Sequence, residues 1–257
     1  MKPLALILLA GMLAGVPALA GTGFVPGEVV EYKISWLGIP LAWSKMTTDT
    51  ITENGRELVR LRMEAQTYAP YKHIYEVDDA TEVIADPETG LPLRLDVVVN
   101  EGSIHKSHYT EFDHANRTAH HIDRISNTTN AVPIKSDTND MITFMYAARS
   151  TELPALANEI HEIYVDGKVY ELGIELRDEK KIKLDKYDKV ECIQVEPLAE
   201  FDGLFIRQGK IFFWISKQNR RMVTCITARV PVGNITAKLE TVEGPGNDFW
   251  ARNKEEP

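Results

Sequence analysis

The stretch VVEYKISW, Val29–Trp36, decides the fold, because apolar and polar side chains alternate along it. A period of two is typical of a β-strand with one covered face and one solvated face. The same period returns after the hairpin signal Glu53-Asn54-Gly55, where Val59, Leu61 and Met63 fall on one side. The first third of the chain therefore predicts antiparallel strands joined by tight turns.

Extended runs of this kind continue almost to the end of the chain, separated by turn signals. The period changes once. Ser136-Asp137-Thr138 offers helix caps, and Asn139–Ser150 is predicted as a short helix with Met141, Phe144, Met145 and Ala148 along one face. Lys181–Val195 is predicted as a single strand. The whole pattern predicts a mainly β protein, a curled antiparallel sheet or β-barrel-like meander of about thirteen strands with one short helix.

Strand alternation also predicts the buried side chains. The predicted core comprises Tyr32, Ile34, Trp36, Leu61, Met63, Leu95, Val97, Leu172, Ile174, Phe213 and Ile235.

The domain organisation follows from three segments of different composition. Residues 1–20 combine Lys2, an apolar run and Ala18-Leu19-Ala20, which is typical of a cleavable signal peptide. Residues 21–242 are predicted as a single antiparallel β domain, and residues 243–257 as a flexible C-terminal tail. These features predict a periplasmic or secreted protein that is not an integral membrane protein, because the apolar run is shorter than a bilayer span.

The formal net charge of −9 disfavours two classes of partner. Nucleic acids and anionic membrane surfaces both reward clustered Lys and Arg, so we expect no nucleic-acid partner.

The two cysteines, Cys192 and Cys225, allow a disulfide in an exported protein. In a simple meander a third strand, Lys210–Ser216, separates their strands, and their backbones are then too far apart for the bond. A different strand order would permit it. The sequence leaves a disulfide and two buried free thiols equally open.

The histidines suggest a metal site, since five of the seven lie between His105 and His121. A hairpin turning at His114–Asn116 is predicted to pair Tyr109 with His121. This register places His105 and His121 on one face and His108 and His120 on the other. That arrangement scatters the ligands, so no metal site is predicted.

No nucleophile motif or paired-carboxylate arrangement points to catalysis. Asp140 is interpreted as favourable charge in the first turn of the helix. A non-catalytic protein without a cofactor is therefore favoured over an enzyme.

Several separated motifs resemble the domain-of-unknown-function 3108 family of exported bacterial proteins. They are Pro26-Gly27-Glu28 with the following strand, the 86–94 hairpin, Asp140 to Arg149-Ser150, and Trp214-Ile215-Ser216 with Arg220-Arg221. The resemblance spans roughly residues 24–242 and implies an exported β protein, but it implies no activity. The sequence departs from the family pattern at two places: an acidic turn would be expected at Lys217-Gln218-Asn219, and a proline at Met222-Val223. The architecture is also similar to the lipoprotein-carrier fold of the periplasm, by analogy only.

Two functions remain open at the level of sequence. The first is a carrier whose apolar or lipid-like ligand fills a cavity, with Trp36, Tyr75, Phe144, Tyr146, Trp214 and Arg221 as candidate ligand residues. The same aromatic residues could equally fill a core. Arg221 belongs to a basic group, with Arg207, Lys210, Lys217 and Arg220, that would suit a phosphate or sulfate head group or simply form solvated hairpin ends. The second is a cell-envelope interaction protein with a solid interior and a protein or glycan partner.

Overall fold

The computed structural model describes residues 21–199, 211–218, 220–230 and 233–245. The predicted signal peptide and the tail beyond Pro245 lie outside these residues. Fifteen strands are present: β1 Val29–Trp36, β2 Ile39–Glu53, β3 Arg56–Thr67, β4 Asp78–Ala85, β5 Pro92–Glu101, β6 Ile104–Asp113, β7 Thr118–Asp123, β8 Thr128–Pro133, β9 Asn139–Asp140, β10 His161–Val165, β11 Lys168–Lys183, β12 Lys189–Leu198, β13 Ile211–Ser216, β14 Val223–Val230 and β15 Gly233–Glu243.

All fifteen strands form one sheet in the order β8-β7-β6-β5-β4-β3-β2-β1-β15-β14-β13-β12-β11-β10-β9. Neighbours are antiparallel except β9 and β10. The predicted mainly β fold is confirmed, with fifteen strands rather than thirteen. The two further strands are β8, which is polar and mostly exposed, and β9, which is two residues long. Neither carries the apolar alternation on which a prediction from sequence depends.

The predicted strand Lys181–Val195 is wrong, because the chain turns back within it. β11 ends at Lys183 and β12 begins at Lys189, and the two strands pair from Lys183↔Lys189 onward. Leu184 and Tyr187 of the turn are buried. Their apolar side chains gave this hairpin the composition of a continuous strand.

The predicted helix is confirmed as α1, Met141–Ser150, but its predicted face is only partly correct. Phe144 is buried and Met141 is exposed, because α1 packs against two clusters and also buries Ile142 and Tyr146.

Asp140 caps the start of α1: one carboxylate oxygen accepts the backbone N–H of Ile142 at 2.7 Å, and the other accepts the Thr143 hydroxyl at 2.8 Å. Asp140 thus has a structural role, as expected, but as the N-cap of a capping box rather than as a charge within the first turn. The caps predicted at Ser136-Asp137-Thr138 lie too early in the chain.

A second helix, α2 Leu153–Ala157, lies beyond the one that was predicted. Its Pro154 occupies the first turn, where proline is well tolerated.

The predicted core is confirmed in part. Tyr32, Leu61, Leu95, Leu172 and Ile174 are buried. The other six, Ile34, Trp36, Met63, Val97, Phe213 and Ile235, are only half-buried. Alternation fixes the face on which a side chain lies, but it does not determine how far the covering layer extends along the strand.

Two apolar clusters divide the core. The larger one joins β1–β7 to α1, through Ile142 and Tyr146, and to parts of β10–β15. The smaller one packs Phe144 of α1 and two leucines of α2 against β10–β13. The helices therefore fill space that the curled sheet encloses.

The antiparallel meander gives the sheet two distinct ends. β1 begins after Glu28 and finishes at Trp36, so we call these two ends of the sheet the Glu28 end and the Trp36 end. The β1–β2, β3–β4, β5–β6, β7–β8 and β10–β11 connections lie at the Trp36 end. The curl brings β8 near β11 and β9 near β5, although β8 and β9 do not pair.

We expect Leu61→Ala to lower the free energy of unfolding by about 2–5 kcal/mol, because Leu61 is 1% exposed and its loss leaves a cavity. Denaturant titration followed by circular dichroism measures the change. Leu198→Ala makes the same chemical deletion at a side chain that is 48% exposed, and it should change stability by less than about 1 kcal/mol. Equal losses would contradict the assigned core.

Candidate functional site

The six residues predicted to bind a ligand do not come together around one cavity. Tyr146 and Trp214 are buried in the larger cluster, and Phe144 is buried in the smaller one. Trp36 and Tyr75 lie at the Trp36 end, where Trp36 is half-buried and Tyr75 is exposed. Arg221 pairs with Glu152 and donates to the carbonyl of Arg149 at 3.2 Å. The predicted aromatic lining is therefore mostly core.

Two cavities open on the surface of the sheet. One, of about 220 Å³, is lined mainly by charged side chains, among them Arg60, Arg94 and Glu53. The other, of about 610 Å³, lies over Leu91, Leu93 and Phe112, with Asp86 and Asp113 at its margin. Neither is lined by any of the six predicted residues.

The strongest electrostatic feature is a carboxylate buried between two guanidinium groups at the Glu28 end. Glu28 accepts two hydrogen bonds from Arg149, at 2.6 and 2.8 Å, and one from Arg220, at 2.9 Å. Glu28 precedes β1, Arg149 lies in the last turn of α1, and Arg220 lies between β13 and β14. The parallel two-bond contact is the strongest geometry available to an Arg–carboxylate pair.

The same end of α1 is held by a second set of contacts. The guanidinium of Arg149 lies 5.1 Å from the ring centroid of Tyr146, and the Tyr146 hydroxyl bonds to Thr48 Oγ1 at 2.7 Å. Phe24 packs on Tyr146 with ring centroids 5.4 Å apart. A side chain at Gly23, where φ is +73°, would meet the Tyr146 carbonyl oxygen, so glycine permits this close approach. The N-terminal segment, α1 and β2 are thus fixed together.

Three of the motifs on which the family resemblance rests therefore meet in space: the segments of Glu28, Arg149 and Arg220-Arg221. The sequence placed Arg220 and Arg221 in a basic group suited to a head group. In the structure both guanidiniums bind internal partners, and Lys217 pairs with Glu179. Arg207 and Lys210 lie outside the described residues. Sequence reasoning missed Glu28 as the partner of Arg220, because 192 positions separate the two residues.

The predicted histidine register is wrong by one residue. Thr110 opposes His121, and Tyr109 opposes Ile122. Because a shift of one residue reverses the face of every side chain on a strand, His108 and His121 share a face. Their ring centroids are 5.0 Å apart. His105 and His120 point to the opposite face and are exposed.

A buried hydrogen-bond network surrounds His121. Its Nδ1 lies 2.9 Å from the Tyr164 hydroxyl and 3.2 Å from Thr110 Oγ1, and these two hydroxyls are 2.9 Å apart. Nε2 of His108 is buried without a hydrogen-bond partner and lies 3.5 Å from a carboxylate oxygen of Asp166. Burial lowers the pKa of both histidines and raises the pKa of Tyr164 to about 12.

Both cysteines are free and buried, and β13 separates their strands. Cys192 Sγ lies 3.2 Å from the hydroxyl of Thr224. Burial raises the pKa of both thiols, that of Cys225 to about 11, which keeps them protonated and poorly nucleophilic at neutral pH.

Exposed apolar side chains concentrate at the Trp36 end. Among the residues that the structure describes, six of the nine large exposed hydrophobic side chains lie in or beside its connections: Leu37, Ile39, Ile74, Tyr75, Ile122 and Ile125. Leu37 and Ile39 flank the β1–β2 turn, and Ile74 and Tyr75 lie in the adjacent β3–β4 connection. We call these four residues the apolar rim.

Charged groups near the apolar rim are paired or partly protonated. Lys72 pairs with Glu76. Burial and the neighbouring Asp79 carboxyl raise the pKa of Glu101, which lies beside Tyr75, to about 7. Among the described residues, the charged groups beside Ile74 and Tyr75 are therefore compensated or partly protonated.

Two further observations concern the described ranges. They contain no group of three His, Cys, Asp or Glu side chains placed to hold a metal ion. No helix among them has both the length and the hydrophobicity of a membrane span.

Removal of the Glu28 carboxylate should be strongly destabilising, because it leaves two buried guanidiniums without their counter-charge. We expect Glu28→Ala to lower the free energy of unfolding by about 3–5 kcal/mol, measured by denaturant titration. Glu152→Ala breaks an ion pair whose carboxylate is 76% exposed and should cost under about 1 kcal/mol. A loss at Glu28 no larger than that at Glu152 would contradict the importance of the buried cluster.

Comparison with known proteins identifies a family and a fold. The family model described as "Protein of unknown function (DUF3108)" matches residues 31–240. The crystal structure of a beta-barrel-like protein of domain of unknown function DUF1849 from Brucella abortus is similar, with a TM-score of 0.53 and 11% identity over 86% of this chain and 98% of that one. At this identity the likeness shows the fold alone. A search of curated proteins gave no match. The family model covers most of the chain, and the chain therefore belongs to the DUF3108 family of proteins of unknown function.

Proposed function

We propose that this chain is a periplasmic, non-catalytic binding protein that engages a lipid-like partner through the apolar rim at its Trp36 end. The observation that carries the proposal is the concentration of exposed hydrophobic side chains at one end of the sheet. Single exposed hydrophobic residues are common, whereas a cluster of them marks an interaction site. The export signal read from residues 1–20 supports the location.

The composition of this end supports acyl chains as the partner. Leu37, Ile39 and Ile74 project from two adjacent connections and are 61%, 52% and 62% exposed. Trp36 and Tyr75 stand beside them, and amphipathic aromatic rings favour the boundary between lipid and water. Trp36 and Tyr75 are therefore the two predicted ligand residues that would contact the partner, on a surface rather than in a cavity.

Charge supports an apolar rather than an electrostatic mode of binding. The net charge of −9 opposes attraction to anionic lipid. Lys72 is compensated by Glu76 within the connection that carries Ile74. We therefore expect binding to zwitterionic membranes with little dependence on salt.

The interior carrier receives less support from the arrangement of the aromatic residues. Phe144, Tyr146 and Trp214 contribute to the packed clusters. We accordingly assign the lipid-like partner to the outside of the fold. A protein or glycan partner in the cell envelope remains the alternative occupant of the same end.

Co-sedimentation with phosphatidylcholine vesicles tests the proposal. Leu37→Ser with Ile74→Ser should weaken vesicle binding by about 100-fold, since each buried aliphatic side chain contributes about 1.5 kcal/mol and 1.4 kcal/mol is a factor of ten. Raising the salt concentration should leave wild-type binding unchanged.

A matched control is available on the same molecule. Met141 and Ile160 are exposed hydrophobic residues that lie away from the apolar rim, so Met141→Ser with Ile160→Ser should bind vesicles as the wild type does. Vesicle binding that is absent in the wild type, or equally weakened in both double variants, would refute the lipid-like partner and favour a protein or glycan.

A further inference from the structure

Side chains rather than backbone pairing join the two edge regions of the sheet. β6 and β7 lie near one end of the strand order, and β10 lies next to the last strand at the other. Tyr164 of β10 bonds to Thr110 of β6 and to His121 of β7, and its ring meets Phe112 edge-on at 5.1 Å. Asp166, in the β10–β11 turn, lies 3.5 Å from His108 and pairs with Lys106 of β6. We call this set of contacts the seam.

The seam encloses two titratable rings in direct contact. His108 and His121 are 4% and 7% exposed, with centroids 5.0 Å apart. Gly167 closes over His121 so tightly that a Cβ there would lie 3.0 Å from the ring. Two imidazolium ions at this distance would repel each other in a site with little water to screen them.

We propose that the seam is a proton-sensitive latch, which holds the curled sheet closed while His108 and His121 are neutral and releases β6–β8 from β10 when they are protonated. Release breaks interactions between side chains only. The backbone ladder within each half of the sheet remains intact, so opening is a local event.

The charged groups around the two rings do not cancel the effect of burial on the pKa of the histidines. Lys106 of β6 opposes protonation of His108, whereas Asp123 of β7 and Asp166 of the β10–β11 turn favour it. Tyr164 of β10 stays neutral, since its pKa is raised to about 12. Burial outweighs both carboxylates, and the pKa of each histidine remains below its ordinary value of 6.5.

Because burial in the closed seam lowers the pKa of each histidine, acid favours the open seam. Below about pH 6.5 the open seam binds more protons than the closed seam, so the closed state loses stability as the pH falls. Each histidine multiplies the opening constant by up to about tenfold per pH unit. The raised pKa of Glu101 has the opposite effect, because it makes the folded protein more stable as the pH falls. Wild type and variant must therefore be compared at the same pH.

Hydrogen exchange measured by mass spectrometry on the full chain tests the latch. From pH 7.5 to pH 5.5, after correction for intrinsic exchange, amides of β6–β8 and β10 should exchange at least 10-fold faster, while those of β2 and β3 should not change. In the double variant His108→Gln, His121→Asn, which removes both titrating groups and retains amides able to hydrogen-bond, this acceleration should be absent.

The exposed histidines of the same strands provide the control. His105→Gln with His120→Gln should show the wild-type acceleration. If the seam variant fails to fold, NMR titration of histidine ring resonances in the wild type decides: two rings titrating below pH 6.5 support the latch. Acceleration that persists in a folded seam variant, or spreads equally over β2 and β3, would overturn the proposal, as would pKa values at or above 6.5 for both rings.

Discussion

One buried carboxylate, that of Glu28, fixes the arrangement on which the interior depends. It is shared by Arg149 at the end of α1 and Arg220 between β13 and β14, segments more than 100 residues away from it in sequence. Burial of an ion is tolerated only when its partners and hydrogen bonds are complete, and here three guanidinium contacts satisfy it. The cluster therefore specifies where α1 sits more than it adds net stability. With α1 in place, Tyr146 and Ile142 fill one side of the core and Phe144 fills the other.

Phe144, Tyr146 and Trp214 belong to the packed core of this protein rather than to a ligand cavity. A curled sheet suggests a container, but here the helices and the aromatic side chains occupy the enclosed space. The two ends of the sheet differ in chemistry: the Glu28 end holds internally satisfied charges, and the Trp36 end exposes hydrophobic side chains. The partner that we propose is assigned to the Trp36 end because of this asymmetry.

The curl also leaves the sheet with two edges that do not pair with each other. A closed barrel would satisfy them by backbone hydrogen bonds. In this chain Tyr164, His121 and Thr110 join the two halves of the sheet instead, and a side-chain contact can respond to protonation in a way that a backbone ladder cannot. The apolar rim and the seam share the Trp36 end, since Asp123 and Asp166 flank the β7–β8 and β10–β11 turns.

Local patterns in the sequence determined the strands, most turns and α1, because a period of two or of 3.6 and a capping residue act over a few neighbouring positions. The Asn54-Gly55 turn and the span of α1 are examples that were predicted correctly, whereas the cap was predicted at Ser136-Asp137-Thr138 instead of Asp140. The Leu184–Asp188 turn was missed because its apolar residues imitate a strand. Tertiary structure alone decided the partner of Glu28, the shared face of His108 and His121, and the burial of Phe144 and Trp214. Each depends on long-range register or on how far one layer covers another, and a shift of one residue in register reverses every side chain on a strand.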